Sequence, residues 1–211
     1  MNIAVFASGR GSNFSAIARA VKNGKISANL ALLVCDTPGA GVLGRAKRAG
    51  VKTVLVKRED FTAKKDFEDQ IIRHLEENKI GLIIMAGFMR ILSPEFVARF
   101  KNQIINIHPA LLPAFKGGHA IKDAFDYGAK TTGVTVHFVD EKMDHGPIIL
   151  QAPVEITEND TLESLEEKIH KIEHKLYPQA VILFIEGRLE IEGRRVRITP
   201  GVSPLPPHDS G

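Results

Sequence analysis

Cysteine is almost absent from this chain. Cys35 stands alone among 211 residues, which excludes an intramolecular disulfide framework and fits a reducing compartment. No apolar run is long enough to span a bilayer, and the first expected strand begins at Asn2 with no signal peptide ahead of it. The expected compartment is therefore the cytoplasm, with no membrane partner. A charge of one sign is missing too: 28 basic and 25 acidic residues leave a formal net charge of +3 and no basic block of the kind that coats nucleic acid. An anionic small molecule suits that balance better than a nucleic acid. The chain shows no internal repeat and no linker that would divide it. With 44% hydrophobic and 25% charged residues, it carries enough apolar material for one sizeable core.

Periodicity supplies the fold class, α/β. Short apolar runs alternate with amphipathic stretches, the pattern of a parallel sheet flanked by helices. Strands are expected over residues 3–7, 30–35, 53–56, 82–85 and 104–107, with helices near 14–23, 41–49, 63–78 and 94–100 between them. After His108 the rhythm changes. Residues 132–139 and 147–156 are closely spaced β-prone runs joined by a tight charged loop, which predicts an antiparallel addition to the sheet in the C-terminal half. A long helix is expected from Thr161, introduced by Asp160 with Glu163 three residues on. Its buried stripe is Leu162, Leu165, Ile169, Ile172 and Leu176, and Pro178 should kink it. A hairpin of 189–191 and 196–198 closes the fold around Glu192-Gly193. Residues 1–199 thus read as one domain, and 200–211, with four prolines, as a loose tail.

The richest stretch chemically is Ile104-Ile105-Asn106-Ile107-His108-Pro109. Two polar side chains two residues apart project from one face of a strand. Asn offers an amide donor and His a proton near neutral pH, and burying both in an apolar strand costs stability unless each finds a partner. The pair could activate a carbonyl or serve only as structural hydrogen bonds. Upstream, Ala7-Ser8-Gly9-Arg10-Gly11-Ser12-Asn13 links the first strand to the first helix. Glycines there let backbone N–H groups crowd a phosphate at the helix N-terminus, with Ser12 and Asn13 adding side-chain hydrogen bonds. Phe14 occupies the third glycine position of a dinucleotide fingerprint and no Walker pattern follows, so a single phosphate fits better than a pyrophosphate. The plainer alternative is a tight turn with Ser12 or Asn13 capping the helix.

Two further loops lie at strand ends, where α/β sheets bind ligands. In the segment from Met85 to Pro94, an aromatic heterocycle could lie against Met89 and Leu92, although such a loop could equally be core. The segment from Leu111 to His119 is similarly open, and Asp140 to Pro147 brings carboxylates into a turn.

Taken in order, these stretches resemble the folate-dependent phosphoribosylglycinamide formyltransferases from Met1 to about Ile198. The anchors are Ser8-Gly9-Arg10-Gly11-Ser12-Asn13, Ala86 to Leu92, Asn106 to Pro113, Thr135 to Asp140, Asp144 with Gly146-Pro147-Ile148-Ile149, and Glu173 to Pro178. The resemblance implies a Rossmann-like formyltransferase fold. It also implies formyl transfer from 10-formyltetrahydrofolate, a co-substrate, to the primary amine of glycinamide ribonucleotide in de novo purine synthesis, without a metal. It implies Asn106 as donor to the developing oxyanion, His108 as the imidazolium that supplies a proton to the leaving folate nitrogen, and Asp144 as the carboxylate that pairs with and tunes His108. Gly11, Ser12 and Asn13 correspond to the phosphate cradle, Glu173 to the ribose or amine anchor, and His170 to a neighbouring substrate contact. Met89, Arg90, Ile91 and Leu92 correspond to the pterin-binding loop together with Asn106, and Asp140, Glu141, Lys142, Met143 and Asp144 to the opposite wall. Lys64 stands where the family commonly has an arginine for the folate's glutamate tail, and lacks its bidentate fork. Such an enzyme is expected as a monomer or homodimer.

Methionyl-tRNA formyltransferase and formyltetrahydrofolate deformylase resemble the same core but carry an added C-terminal or N-terminal domain, neither of which is expected here. From other classes, an oxidoreductase would use Gly9 and Gly11 with Asp36 on a ribose, and a metal-dependent hydrolase would recruit His108, His119, His137 and Asp144 in spacings that match no standard ligand motif.

Overall fold

In the computed structural model, which describes residues 1–201, a nine-stranded sheet runs in the order β3-β2-β1-β4-β5-β6-β7-β9-β8. Its first five strands are β1 (Asn2–Phe6), β2 (Asn29–Cys35), β3 (Lys52–Leu55), β4 (Ile80–Met85) and β5 (Ile104–His108), all parallel. Helices α1 (Ser12–Lys22), α2 (Gly41–Ala49), α3 (Lys64–Glu77) and α4 (Pro94–Arg99) connect them. The expected antiparallel addition is present: β6 (Thr131–Phe138) runs against both β5 and β7 (Ile148–Glu155). Beyond β7 lies the hairpin of β8 (Leu189–Glu192) and β9 (Arg195–Ile198), joined to it through Ile148 and Arg195. The α/β fold with a mostly parallel sheet is as the periodicity predicted, with strand ends displaced by one or two residues.

Alternation along β1 divides the core in two. Ile3, Val5 and Ala7 face one side, where Phe14 and Ile17 of α1, Val42 of α2, and Leu165 and Ile169 of α6 (Leu162–Ile185) pack. Ala4 and Phe6 face the other, against Phe67, Ile71 and Leu75 of α3 and Phe96 and Val97 of α4. Helices therefore cover both faces, which explains why the parallel strands read as continuous apolar runs. Among the described residues no helix is long and apolar enough to cross a membrane.

Three expectations need correction. The long helix is capped by Thr161, whose hydroxyl accepts from the Ser164 amide at 3.2 Å while the Ser164 hydroxyl accepts from the Thr161 amide at 3.0 Å. Asp160 sits one residue too early for this role and instead accepts from Lys168, Ser164 and Thr157. Leu165, Ile169 and Leu176 are buried as expected, but Leu162 and Ile172 are only half-buried, and the helix continues through Pro178 to Ile185. Finally, α5 (Ala120–Asp126) arises in a stretch for which no helix was expected, held by buried Ala120 and Ala124. The Pro-rich tail expected from Pro200 lies, beyond residue 201, outside the described residues.

Tyr177 of α6 ties the sheet to its helix where the strands end. Fully buried, its hydroxyl lies 2.7 Å from the carbonyl of Met85 on β4 and 3.1 Å from that of Ile105 on β5. Removing that hydroxyl leaves both carbonyls short of a donor. Tyr177→Phe should therefore cost about 1–3 kcal/mol of unfolding free energy, read by urea denaturation.

Candidate active site

The order β2-β1-β4 places the reversal of winding between β1 and β4, so the loops after these strands border the crevice where α/β folds bind ligands. They are laced together: the Ser8 amide donates to the Gly87 carbonyl at 2.9 Å, and the Met89 amide donates to the Ser8 hydroxyl at 2.9 Å. Asp36, from the end of β2, accepts from the Arg90 guanidinium at 2.6 Å with its own side chain only 1% exposed. Burial alone would raise the Asp36 carboxyl, but hydrogen bonds from Ser8, Arg90 and Thr37 outweigh it and hold the group below the usual carboxylate range.

Next to this crevice β5 delivers Asn106 and His108. Antiparallel pairing sets Asn106 opposite His137 and His108 opposite Thr135. His137 is buried, and that burial pushes its imidazole below the ordinary histidine value, favouring the neutral ring. Its Nδ1–H donates to the Phe138 carbonyl at 2.8 Å, which leaves Nε2 to accept from the Asn106 amide nitrogen at 3.2 Å. One N–H of Asn106 is thereby anchored, and the other has no hydrogen-bond partner among the described residues. His108, 3% exposed, donates from Nε2 to the Phe115 carbonyl at 2.8 Å, and its Nδ1 lies 3.5 Å from Asp144 Oδ2. Asp144 adopts a left-handed backbone with φ of 49°, accepts from the Gly117 amide at 2.8 Å, and lies 3.9 Å from His137 Nε2. Both ring nitrogens of His108 thus face acceptors, so each N–H of a charged ring has a partner.

On the other side of the crevice α1 begins at Gly11, whose φ of 76° suits glycine and where a Cβ would lie 2.6 Å from Val42. Among the described residues no side chain caps this helix, so the plain capping role weighed for Ser12 or Asn13 is not realised. Asn13 instead turns inward and donates from Nδ2 to Glu173 Oε2 at 3.0 Å, leaving its buried Oδ1 without a partner among the described residues. Burial pushes the Glu173 carboxyl up, against the Asn13 hydrogen bond and the nearby His170. His170 is half-buried and stacks on His174, with ring centroids 6.4 Å apart.

In the loop after β4, Met89 and Ile91 are 73% and 68% exposed, whereas Leu92 is 8% exposed and packs in the second core. Lys64, at the start of α3, lies 3.8 Å from Glu68, whose carboxylate accepts from the Ser93 amide at 2.8 Å at the end of the same loop. On the opposite wall Glu141, Lys142 and Met143 are exposed and Asp140 accepts from the Lys142 amide at 3.0 Å.

Residues 1–181 match the family model described as formyl transferase. The chain belongs to the formyl transferase family. It is 47% identical over 178 residues to phosphoribosylglycinamide formyltransferase of Bacillus subtilis, a match covering 84% of this chain and 91% of that one. It is 40% identical over 187 residues to the trifunctional purine biosynthetic protein adenosine-3 of Drosophila melanogaster, covering 88% of this chain but 14% of that protein. The crystal structure of glycinamide ribonucleotide transformylase 1 from Symbiobacterium toebii superposes with a TM-score of 0.93 at 42% identity, covering 95% of this chain and 94% of that one.

Within this formyltransferase the residues weighed for other classes fall elsewhere. Asp36 is committed to Arg90 and cannot anchor a ribose. His119 is exposed where α5 begins, whereas His108 and His137 are buried, and among the described residues no three His, Cys, Asp or Glu are grouped to hold a metal ion. Sequence reasoning left His137 without a role and missed Thr135, Gln151 and Phe115. Thr135 donates to the Ala110 carbonyl at 2.7 Å and accepts from the Leu112 amide at 3.1 Å, while Gln151 donates to the Leu112 carbonyl at 3.0 Å. They pin the loop after His108. Their alternation in β6 and β7 was the available signal, but it does not reveal what lies across the strands.

The raised carboxyl of Glu173 has a signed consequence. Its folded-state value lies above the unfolded one, so the folded chain holds the proton longer, and stability falls as pH rises from the ordinary glutamate value through the raised one. Glu173→Gln removes that decline. The variant should gain stability relative to the parent across this window and hold the gain above it, as followed by thermal unfolding at stepped pH.

Proposed function

We propose that this chain transfers the formyl group of 10-formyltetrahydrofolate to the primary amine of glycinamide ribonucleotide, a step of purine synthesis, within a catalytic unit of residues 1–199 in the cytoplasm. The observation that carries this reading is the convergence of Asn106, His108 and Asp144 at the end of β5. The neighbouring strands of the sheet, β4 and then β1, lead into a loop that exposes Met89 and Ile91 and into the glycine-led N-terminus of α1. Gly11, Ser12 and Asn13 take the substrate phosphate at the positive end of α1. Glu173 takes the ribose or amine end, beside His170. The backbone of Met89, Arg90, Ile91 and Leu92 takes the pterin, faced by Asp140, Glu141, Lys142, Met143 and Asp144. Lys64 meets the glutamate tail.

The amine nitrogen attacks the formyl carbon, and the carbonyl electron pair moves onto oxygen. The free N–H of Asn106 and the His108 imidazolium stabilise that oxyanion. As the tetrahedral intermediate collapses, the carbon–nitrogen bond to folate breaks, the folate nitrogen gains the Nδ1 proton of His108, the less tightly held of the two at 3.5 Å from Asp144, and the amine's proton leaves by way of Asp144. The products are the formylated amine and tetrahydrofolate, with no net change in protons or electrons. Both reactants are small molecules and the reading draws on no metal, nucleic acid or membrane, with the enzyme a monomer or homodimer.

An assay with both substrates tests the reading. Release of tetrahydrofolate only when glycinamide ribonucleotide is present supports transfer, whereas equal release without the amine would falsify it in favour of deformylation. Replacing both Ser12 and Asn13 with alanine should weaken glycinamide ribonucleotide binding much more than folate binding, as measured by calorimetry with each ligand. Asp144→Asn should lower the single-turnover rate about a hundredfold, with a much smaller change in affinity for either substrate.

A further inference from the structure

The C-terminal hairpin lies beyond residues 1–181, the part that the family model covers, yet its turn touches the wall that carries Asp144. Arg194, at the tip between β8 and β9, points its guanidinium at His145, the residue directly after Asp144. One nitrogen, Nη2, donates to the His145 carbonyl at 2.7 Å, and the other, Nη1, lies 3.0 Å from the ring Nε2 and 3.2 Å from the ring Nδ1. The opposite ring nitrogen, Nδ1, lies 2.7 Å from Asp140 Oδ2, while Asp140 Oδ1 accepts from the Lys142 amide at 3.0 Å. With Nδ1–H donating to Asp140, the ring is fixed from one side, and Nη1, nearly equidistant from both ring nitrogens, rests against the imidazole while Nη2 bonds the carbonyl. The loop is held from its outer side by these groups and from below at Gly146, where a Cβ would fall 1.8 Å from the Phe138 carbonyl.

We infer that Arg194 is a positioning residue for formyl transfer: its fork on His145 fixes the backbone that aims Asp144 at His108. This rests on the function proposed above. Asp144 needs such outside support because it occupies a left-handed backbone conformation, its one hydrogen bond within the described residues is from Gly117, and its carboxylate stands 3.5 Å from His108. At that separation a small shift of the loop decides whether the two groups meet. The fork also closes the outer end of the wall formed by Asp140 to Asp144, so folate rather than the ribonucleotide feels its loss. Charge alone does not make this contact, because a lysine cannot bond the carbonyl and the ring together.

Arg194→Ala, Arg194→Lys, His145→Ala and the Arg194→Ala/His145→Ala double variant test the inference. Amide hydrogen exchange across residues 140–146 should quicken about tenfold in Arg194→Ala without a change in global unfolding. Folate affinity and the single-turnover rate should each fall about fivefold, glycinamide ribonucleotide affinity should hold, and the double variant should lose no more than the worse single. Arg194→Lys should resemble Arg194→Ala. Full rescue by lysine, equal losses for both substrates, additive losses in the double variant, or unchanged exchange in the loop would each overturn the role assigned to the fork. A parent protein that does not formylate glycinamide ribonucleotide overturns the functional reading and the link to catalysis instead, while the exchange experiment still decides whether Arg194 holds the loop.

Discussion

Polar groups inside the end of an apolar sheet must be paired, and the candidate site is the solution to that constraint. An unpartnered amide or imidazole there would cost about 1–3 kcal/mol. Asn106 is paired by His137, His137 by the Phe138 carbonyl, and His108 by the Phe115 carbonyl with Asp144 beyond it. Each partner comes from a segment later in the chain than β5. The reversal of direction at β6 therefore does more than extend the sheet: an antiparallel neighbour brings His137 and Thr135 opposite Asn106 and His108 within one register.

The same requirement fixes the loops around the cluster. Thr135 and Gln151 satisfy the backbone of residues 110–112, so the strand can end at His108 and turn at once without orphaning buried groups. At the crevice, Asp36 remains a carboxylate despite its burial because Arg90, Ser8 and Thr37 surround it. The pairing joins the end of β2 to the loop after β4, and Ser8 joins that loop to the one leading into α1. The two loops to which separate ligands are assigned are thus parts of one hydrogen-bonded rim.

Helix α6 connects stability with chemistry. Tyr177 is bound to the carbonyls of Met85 and Ile105, and one turn earlier Glu173 meets Asn13. The helix that covers one face of the sheet is therefore also the element that brings a buried carboxyl to the N-terminus of α1. That carboxyl is raised by burial, against the hydrogen bond from Asn13 and the nearby His170.

The sequence by itself determined the fold class, since apolar runs of strand length alternating with amphipathic stretches leave few other packings. It also marked the residues proposed to carry chemistry, because Asn106 and His108 in an apolar run, and Gly11 before Ser12 and Asn13, stand out from their surroundings. It misplaced the cap of α6 by one residue, as Asp160 and Thr161 are both good caps and only the backbone geometry chooses between them. It did not predict α5, whose short run is stabilised by packing of Ala120 and Ala124 rather than by its own propensity. Tertiary structure alone decided the partners: His137 for Asn106, Asp36 for Arg90, Glu173 for Asn13 and Arg194 for His145. Those pairs are 31, 54, 160 and 49 residues apart, and no local pattern encodes a contact between side chains that meet only once the sheet is assembled.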